Sequence, residues 1–263
     1  MDELLALAVA AAQEAGALVA QRRADAPVEV SATKSSPTDI VTASDTAAER
    51  LIRRRIEQAR PDDGILGEEG GSATGHSGVR WIVDPIDGTV NYLYGIPAYA
   101  VSIAAECAGE VTVGVVHNPA SGETWTALRG QGAWLGDRPL QVGGVGDPAY
   151  ALVATGFNYD VRTRTRQAGQ VARLLPLVRD IRRIGSAALD LCALATGRVD
   201  AYVEQGLKPW DFAAGGLVAR EAGARVGGFG EASEASEDLV VATSPELWEP
   251  FQDVLREAGF GPA

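Results

Sequence analysis

Two aspartates, Asp84 and Asp87, stand three residues apart on a turn that contains Pro85 and Gly88, and Thr89 follows them. Buried unpaired carboxylates are strongly disfavoured, so this pair must face water, basic groups or a metal ion. Carboxylate oxygens are hard ligands that suit Mg²⁺ or Mn²⁺. Glycine lets the backbone approach a ligand closely, and a helix starting there would offer free N–H groups to a phosphate. In isolation, however, Asp-x-x-Asp is more often a turn in which aspartate caps a helix.

Acidic residues in two further segments of the chain could join this pair. Glu68 and Glu69 follow the apolar run 65–67, and Asp211 follows Trp210 at the start of a helical pattern. Asp211 alone would be interpreted as a helix N-cap. The spacing along the chain does not establish that these acids meet Asp84.

The elements that must position these acids differ between the two halves of the chain. Apolar periodicity predicts helices over 4–23 and 44–59, then strands over 65–67, 81–83, 98–106, 111–117 and 124–128. Residues 1–145 therefore form an α+β lobe with a mainly antiparallel sheet. In residues 146–263, strands over 152–155, 181–184, 199–204 and 239–243 alternate with helices over 164–178, 187–196, 212–222 and 245–257. This alternation is typical of an α/β lobe.

Composition narrows the class of protein. The 263 residues include 23 basic and 35 acidic ones, a net charge of −12, which disfavours nucleic acid and anionic membranes as partners. Cys107 and Cys192 lie in apolar runs and are expected to be core thiols in a reducing compartment. No basic signal-peptide start and no run of 18 apolar residues occurs, so we expect a cytoplasmic protein without a membrane span.

Five segments in order give the chain a resemblance to a known family. They are Lys34 to Thr42 with Asp45, Gly67 to Glu69, Trp81 to Thr89 with Asn91 and Tyr92, Gly185 to Ala188, and Lys208 to Gly215 with Glu221 to Gly223. Together they resemble the inositol monophosphatase family of lithium-sensitive, metal-dependent phosphatases. The string Asp-Pro-Ile-Asp-Gly-Thr with a downstream Trp-Asp is highly specific for that family.

The resemblance implies an α/β (α+β) fold. We expect a layered α-β-α-β-α sandwich of the inositol monophosphatase/fructose-1,6-bisphosphatase type, formed by residues 1–263 as a single domain. The lobe 1–145 would carry most metal ligands, and the lobe 146–263 would carry Glu204 and Asp211.

The resemblance also implies a metal set of two or three Mg²⁺ ions, for which Mn²⁺ can substitute. Glu68, Asp84 and the carbonyl of Ile86 would hold the first ion. Asp84, Asp87 and Asp211 would hold the second, and Glu68 would help to hold a weaker third.

Three residues are implied to be catalytic: Glu68, Thr89 and Asp45. Thr89, hydrogen-bonded to Asp45, would orient the attacking water. Lys34 would lie near the metals on a mobile loop. Backbone N–H groups of Gly88 and Thr89 would hold phosphate oxygens, while Glu204 and the backbone near Ala187 would contact the alcohol. The substrate-binding set is thus Asp87, Gly88, Thr89, Ala187, Glu204 and Asp211.

The implied function is Mg²⁺-dependent hydrolysis of inositol monophosphate to inositol and phosphate by a homodimer. The same chemistry on fructose-1,6-bisphosphate, histidinol phosphate, NADP or 3′-phosphoadenosine 5′-phosphate is an alternative, and a regulatory binding protein of the transcription machinery is another. His76 and His117, the two histidines, are interpreted as surface or strand-end residues, so a Ser-His-Asp hydrolase is disfavoured. Lys208 is either a solvated charge or a contact for a second anionic group of the substrate.

Overall fold

Seven α-helices carry much of the packing in the computed structural model, which describes residues 1–230 and 234–261. They are α1 (Asp2–Asp25), α2 (Ala43–Ala59), α3 (Thr89–Tyr94), α4 (Val161–Leu174), α5 (Ala187–Ala195), α6 (Pro209–Glu221) and α7 (Pro245–Ala258). Side chains cap several of them. Asp160, Ser186 and Ser244 each accept a hydrogen bond from a backbone N–H in the first turn of α4, α5 and α7, respectively.

A small hairpin precedes α2. It consists of β1 (Val30–Thr33) and β2 (Ile40–Thr42), which pair in antiparallel fashion. The loop between these strands carries Lys34, and β2 leads directly into α2.

The larger sheet has eight strands in the order β10-β9-β8-β7-β6-β5-β3-β4. The strands are β3 (Gly64–Gly67), β4 (Gly71–Ala73), β5 (Val79–Asp87), β6 (Ala100–Cys107), β7 (Glu110–His117), β8 (Thr124–Leu128), β9 (Gly132–Leu135) and β10 (Arg138–Pro139). Only β3 and β5 pair in parallel; the other neighbours are antiparallel. Because β3 and β5 run side by side in one direction, their ends deliver Glu68 and Asp84 to the same edge.

The smaller sheet has five strands in the order β12-β11-β13-β15-β14. They are β11 (Leu152–Thr155), β12 (Asp180–Arg182), β13 (Ala201–Glu204), β14 (Arg225–Gly227) and β15 (Val240–Thr243). β11 pairs in parallel with β12 and β13, whereas β15 pairs in antiparallel fashion with β13 and β14. The sheet is therefore mixed, with its parallel part next to α5.

The apolar faces of the helices and the two sheets pack together and so define the layers. One core joins α1 and α2 to the larger sheet, and a second joins the opposite face of that sheet to α5 and α6. A third core joins α5 and α6 to the smaller sheet, and a fourth joins the outer face of that sheet to α4 and α7. The predicted α-β-α-β-α sandwich is confirmed. The division into lobes at residue 145 stays a prediction.

Helix α1 meets the length and hydropathy of a membrane span. In this fold its alanine-rich face, including Ala8, Ala12 and Val19, is buried in the core that it shares with α2 and the larger sheet. Small side chains on that face allow close packing, so burial in a protein core accounts for its hydropathy.

Most predicted elements form, but several boundaries differ. The strand expected over 199–204 begins at Ala201, and the helix expected over 164–178 runs from Val161 to Leu174. Short strands that were not predicted include β2, β4, β9, β10 and β14, which have two to four residues each. Such short strands form because a neighbouring strand offers hydrogen bonds, and that is a tertiary cause invisible to local periodicity.

The close packing of β7 against α6 gives a stability prediction. A Cβ at Gly114 of β7 would lie 2.8 Å from the carbonyl oxygen of Ala214 in α6. Gly114→Ala should therefore lower the free energy of unfolding by about 1–3 kcal/mol, as overpacking does. Urea unfolding followed by tryptophan fluorescence measures this change.

The matched control is Gly216→Ala in α6, where an added Cβ meets no atom within 4 Å. That variant should be neutral or more stable by about 0.5–1 kcal/mol, because alanine favours the helix. A Gly114→Ala protein as stable as the parent would contradict the packing argument.

Candidate metal centre

The register of β5 explains why Asp84 and Asp87 face the same cleft. Residues three apart in a regular strand point to opposite faces of the sheet. Here Asp84 pairs with Ser102 and Asp87 with Ala100, so three steps on β5 oppose two on β6. This bulge inserts one extra residue and restores a common direction for the two carboxylates.

The first turns of α5 and α6 hold Asp87 and Asp211 by hydrogen bonds. The Asp87 Oδ2 atom accepts hydrogen bonds of 2.7 Å from both Ser186 Oγ and the Ala188 backbone N–H in α5. The Asp211 carboxylate lies in the first turn of α6 and accepts a 2.6 Å hydrogen bond from the Lys208 N–H. Asp211 is therefore not the N-cap of α6, which is Lys208, but the third residue of the helix, and its carboxylate reaches back to the Lys208 N–H while also facing the cleft.

The structure brings three of the predicted ligands together. One carboxylate oxygen from each of Asp84, Asp87 and Asp211 lies within 4.8 Å of the other two. Burial raises the pKa of Asp84 well above its ordinary value, and the charges of Glu68 and Asp87 raise it further. Burial also raises the pKa of Asp87 to about 6, although the hydrogen bond from Ser186 opposes this rise.

Glu68 lines the same cleft, but its carboxylate is paired with a lysine. Its Oε1 accepts a 2.7 Å hydrogen bond from Lys34 Nζ, and Lys34 also pairs with Glu69. Burial raises the pKa of the Glu68 carboxyl to about 7, while the Lys34 charge opposes the rise. The expected position of Lys34 near the acids is therefore observed, and its expected mobility stays a prediction.

Glu49 of α2 positions the Glu68 loop, a role that the sequence did not indicate. Its buried carboxylate accepts hydrogen bonds from the N–H groups of Glu69 at 2.7 Å and Gly70 at 2.8 Å. Arg53 Nε donates to the same carboxylate at 2.7 Å. The only sequence signal was a helical acid followed four residues later by a base, which is common on solvated helices.

Asp45 and Thr89 meet beside the bulge. Thr89 Oγ1 lies 3.0 Å from Asp45 Oδ1 and 3.0 Å from the Ile86 carbonyl oxygen, so its single proton is donated to one of them at a time. The other Asp45 oxygen accepts a 2.8 Å hydrogen bond from the Thr42 N–H. Gly88 has φ of 97°, and a Cβ there would lie 3.0 Å from the Ala98 carbonyl oxygen, so glycine is required.

The remaining predicted contacts line the far wall of the cleft. Glu204 ends β13 and accepts a 2.8 Å hydrogen bond from the Tyr202 hydroxyl, while Ala187 begins α5. Burial raises the pKa of Glu204 to about 7, and the Tyr202 hydrogen bond opposes the rise. Lys208 is not among the residues lining the cleft, and its ammonium pairs with Glu237 at 2.6 Å on the surface.

The charges around the cleft fit a cation. Among the described residues that line it, six are acidic: Asp39, Glu68, Asp84, Asp87, Glu204 and Asp211. One basic side chain, Arg183, lines the cleft with them. Buried carboxylates of this density are costly unless a positive charge neutralises them, and an all-oxygen ligand set suits a hard divalent ion.

A five-layer α/β fold with this acidic cleft fits a metal-dependent phosphatase. A sequence model of the inositol monophosphatase family matches residues 1–256. The chain is 55% identical to inositol-1-monophosphatase of Mycobacterium bovis over 202 residues, covering 73% of this chain and 70% of that one. It is 42% identical over 231 residues to a protein of Escherichia coli named Nus factor SuhB, covering 87% and 86%.

A solved structure described as Mycobacterium tuberculosis SuhB superimposes with a TM-score of 0.84 at 46% identity, covering 98% of this chain and 97% of that one. The chain belongs to the inositol monophosphatase family.

Proton linkage provides a test of the cluster. At pH 6, carboxyls with raised pKa values, such as Glu68 and Asp87, still retain protons that a cation must displace. The affinity for Mg²⁺ should therefore rise from pH 5.5 to 7.5, with proton release at pH 6 that fades above pH 8. Calorimetry in two buffers of different ionisation enthalpy measures the release.

Asp87→Asn removes one titrating carboxyl and should reduce the release, whereas Asp253→Asn on the surface of α7 should not change it. Equal heats in the two buffers at pH 6 would contradict the assignment of these acids as a coupled cation site.

Proposed function

We propose that this protein is a magnesium-dependent phosphomonoesterase that hydrolyses inositol monophosphate. The observation that carries the proposal is the convergence of the Asp84, Asp87 and Asp211 carboxylates beside the hydrogen-bonded pair of Thr89 and Asp45. Such a set combines oxygen ligands for a divalent ion with a hydroxyl placed for proton handling.

The residues that would hold two or three Mg²⁺ ions are Glu68, Asp84, the carbonyl of Ile86, Asp87 and Asp211. A bound divalent ion polarises phosphate oxygens and lowers the pKa of a coordinated water. The Ile86 carbonyl oxygen lies 3.0 Å from Thr89 Oγ1. A proposed metal ligand and the hydroxyl that would orient the water therefore lie on the same turn.

The chain's own groups have separable tasks. Asp45, held by Thr42, accepts a hydrogen bond from the Thr89 hydroxyl and so leaves a lone pair of the Thr89 oxygen free to accept a hydrogen bond from the attacking water. This arrangement aims a lone pair of the water at phosphorus. The N–H groups of Gly88 and Thr89 would bind phosphate oxygens where the backbone approaches closely.

Glu204 and the backbone of Ala187 would bind hydroxyls of the alcohol. The choice of inositol is supported by the names of the mycobacterial relatives. Fructose-1,6-bisphosphate, histidinol phosphate, NADP and 3′-phosphoadenosine 5′-phosphate are alternatives for the same chemistry. We also propose a cytoplasmic homodimer, inhibition by lithium and substitution of Mn²⁺ for Mg²⁺.

Asp87→Asn should lower kcat by at least about 100-fold. Replacing a residue that only orients a metal ligand already costs up to about 100-fold in activity, and replacing the ligand itself should cost no less. Phosphate release from inositol monophosphate at saturating Mg²⁺ measures the loss. Circular dichroism and the melting temperature should show an intact fold, because an amide oxygen can still accept the hydrogen bond of Ser186.

The surface variant Asp253→Asn should retain parental turnover. Near-normal kcat for Asp87→Asn at saturating Mg²⁺ would rule out the role assigned to Asp87.

Glu204→Ala should raise KM for inositol monophosphate by about 10-fold or more, the cost of losing hydrogen bonds to a charged group. KM for p-nitrophenyl phosphate should change less, because its alcohol portion, p-nitrophenol, has no further hydroxyls for Glu204 to bind. Tyr202→Phe, which removes only the hydroxyl that holds Glu204, should give a smaller shift in the same direction. Equal changes for both substrates would remove Glu204 from the alcohol pocket.

A regulatory role in the transcription machinery is the second candidate, and it is favoured by the relatives named Nus factor SuhB. The two functions separate in one assay. A purified protein that releases no phosphate with Mg²⁺ from inositol, sugar, histidinol and nucleotide phosphates would favour the regulatory function. Release that lithium inhibits would favour the enzyme.

A further inference from the structure

Tyr92 of α3 lies where three helices meet. Its side chain is 0% exposed and packs in the core that joins α1 and α2 to the larger sheet. The Arg23 guanidinium of α1 donates to the Tyr92 carbonyl oxygen and lies 5.5 Å from the centre of the tyrosine ring. Because the Tyr92 side chain is fully buried within one chain, a partner subunit in the proposed homodimer would leave its contacts unchanged.

The Tyr92 hydroxyl has two partners but only one proton. It lies 3.0 Å from the Val19 carbonyl oxygen of α1 and 3.0 Å from Ser44 Oγ in the first turn of α2. A carbonyl oxygen only accepts hydrogen bonds, whereas a serine hydroxyl can also donate. Both contacts are satisfied when Ser44 donates to Tyr92 and Tyr92 donates to Val19. This chain of hydroxyls links α2, α3 and α1 in that order.

Helix α3 contacts the first turn of α2 at two points. At the first point Thr89 Oγ1 lies 3.0 Å from Asp45 Oδ1. At the second, three residues further along α3, Tyr92 meets Ser44, the neighbour of Asp45. Residues three apart lie on the same face of a helix, so both contacts come from one face of α3. A single contact would let α3 pivot on α2, whereas two contacts fix the direction in which the Thr89 hydroxyl points.

The hydroxyl of Tyr92 does more than complete a packed core. The neighbouring Tyr99 ring packs edge-on against the Tyr92 ring, with ring centres 5.1 Å apart and the ring planes at 74°. Yet the Tyr99 hydroxyl bonds to neither α1 nor α2, both of which the structure describes in full. Of these two packed tyrosines, Tyr92 is therefore the one whose hydroxyl connects the helices.

We propose that Tyr92 is a positioning residue of the reaction, which fixes α3 against α2 through Ser44 and so holds the Thr89 hydroxyl toward Asp45. The inference rests on the proposed phosphatase function, in which Thr89 orients the attacking water. Tyr92 is not among the described residues that line the cleft, and it holds none of the proposed metal ligands by its side chain. Its hydroxyl should therefore affect the rate of the chemical step rather than the binding of substrate or Mg²⁺.

Tyr92→Phe removes only the hydroxyl and should lower kcat for inositol monophosphate by about 10-fold, since misplacing a reacting group by about 1 Å can cost roughly 100-fold. KM and the Mg²⁺ dependence should stay parental. Ser44→Ala breaks the same contact from the α2 side and should lower kcat to a similar extent. The double variant should lose no more than either single variant, because both remove one interaction. Rates are measured well below the melting temperature of each variant.

A second double-mutant cycle, with Thr89→Val, separates positioning from a general weakening of the fold. Tyr92→Phe should have no further effect on the residual kcat of the Thr89→Val protein, because the hydroxyl that it positions is already absent. General weakening would instead lower the rate by the same factor in both backgrounds. Tyr99→Phe is the matched control, since it removes a neighbouring hydroxyl from the same core, and it should retain parental kcat.

Parental kcat in folded Tyr92→Phe and Ser44→Ala proteins would overturn the positioning role of Tyr92 and leave the phosphatase function intact. An equal loss with and without the Thr89 hydroxyl would do the same. If Tyr92→Phe does not fold, the Thr89→Val cycle is carried out with Ser44→Ala, and its result decides. No phosphate release by the parent protein from inositol monophosphate or the alternative substrates would overturn both the positioning role and the phosphatase function.

Discussion

Asp84, Asp87 and Asp211 lie with carboxylate oxygens within 4.8 Å of one another in a cleft, so each charge raises the energy of the other two. Water cannot relieve this repulsion at Asp84, which is 1% exposed. Donors on the protein relieve part of it: the first turn of α5 binds Asp87, and the Lys208 N–H binds Asp211. Burial, and after it the charges of Asp87 and Glu68, still raise the pKa of Asp211 well above its ordinary value, and a bound cation would neutralise these charges.

The five layers bring these donors to the acids. The bulge in β5 turns two carboxylates toward α5 and α6, the helices that the two sheets share. On the opposite side, α2 supplies Asp45 and also Glu49, which holds the loop of Glu68. The helical layer between the sheets therefore fixes Asp87 and Asp211, whereas α2 on the other face of the larger sheet fixes the Glu68 loop, so a displacement of that sheet would separate the acids. The cleft depends on the packing of the whole sandwich rather than on one loop.

The amino-acid sequence predicted the acidic residues of the cleft better than the residues that hold them in place. The turn of Asp84 to Thr89 could be predicted because proline, glycine and paired aspartates have local causes, and most helices followed from their periodicity. The bulge could not, since it exists only against the partner strand β6. Glu49 and Ser186 were missed for the same reason. The groups that they hold in place lie 20 or more residues away along the chain, as the hydrogen bonds between Glu69 and Glu49 and between Ser186 and Asp87 illustrate.

Lys34 shows how the site manages Glu68, the acid outside the cluster of three. Its ammonium binds both Glu68 and Glu69 and so compensates a carboxylate that burial would otherwise protonate. Because Lys34 belongs to the exposed loop of the β1–β2 hairpin, the position of that loop and the charge on Glu68 are coupled. A cation that bound Glu68 in place of Lys34 would leave the Lys34 ammonium paired with Glu69 alone. The contacts of the hairpin loop would therefore change if a cation bound Glu68.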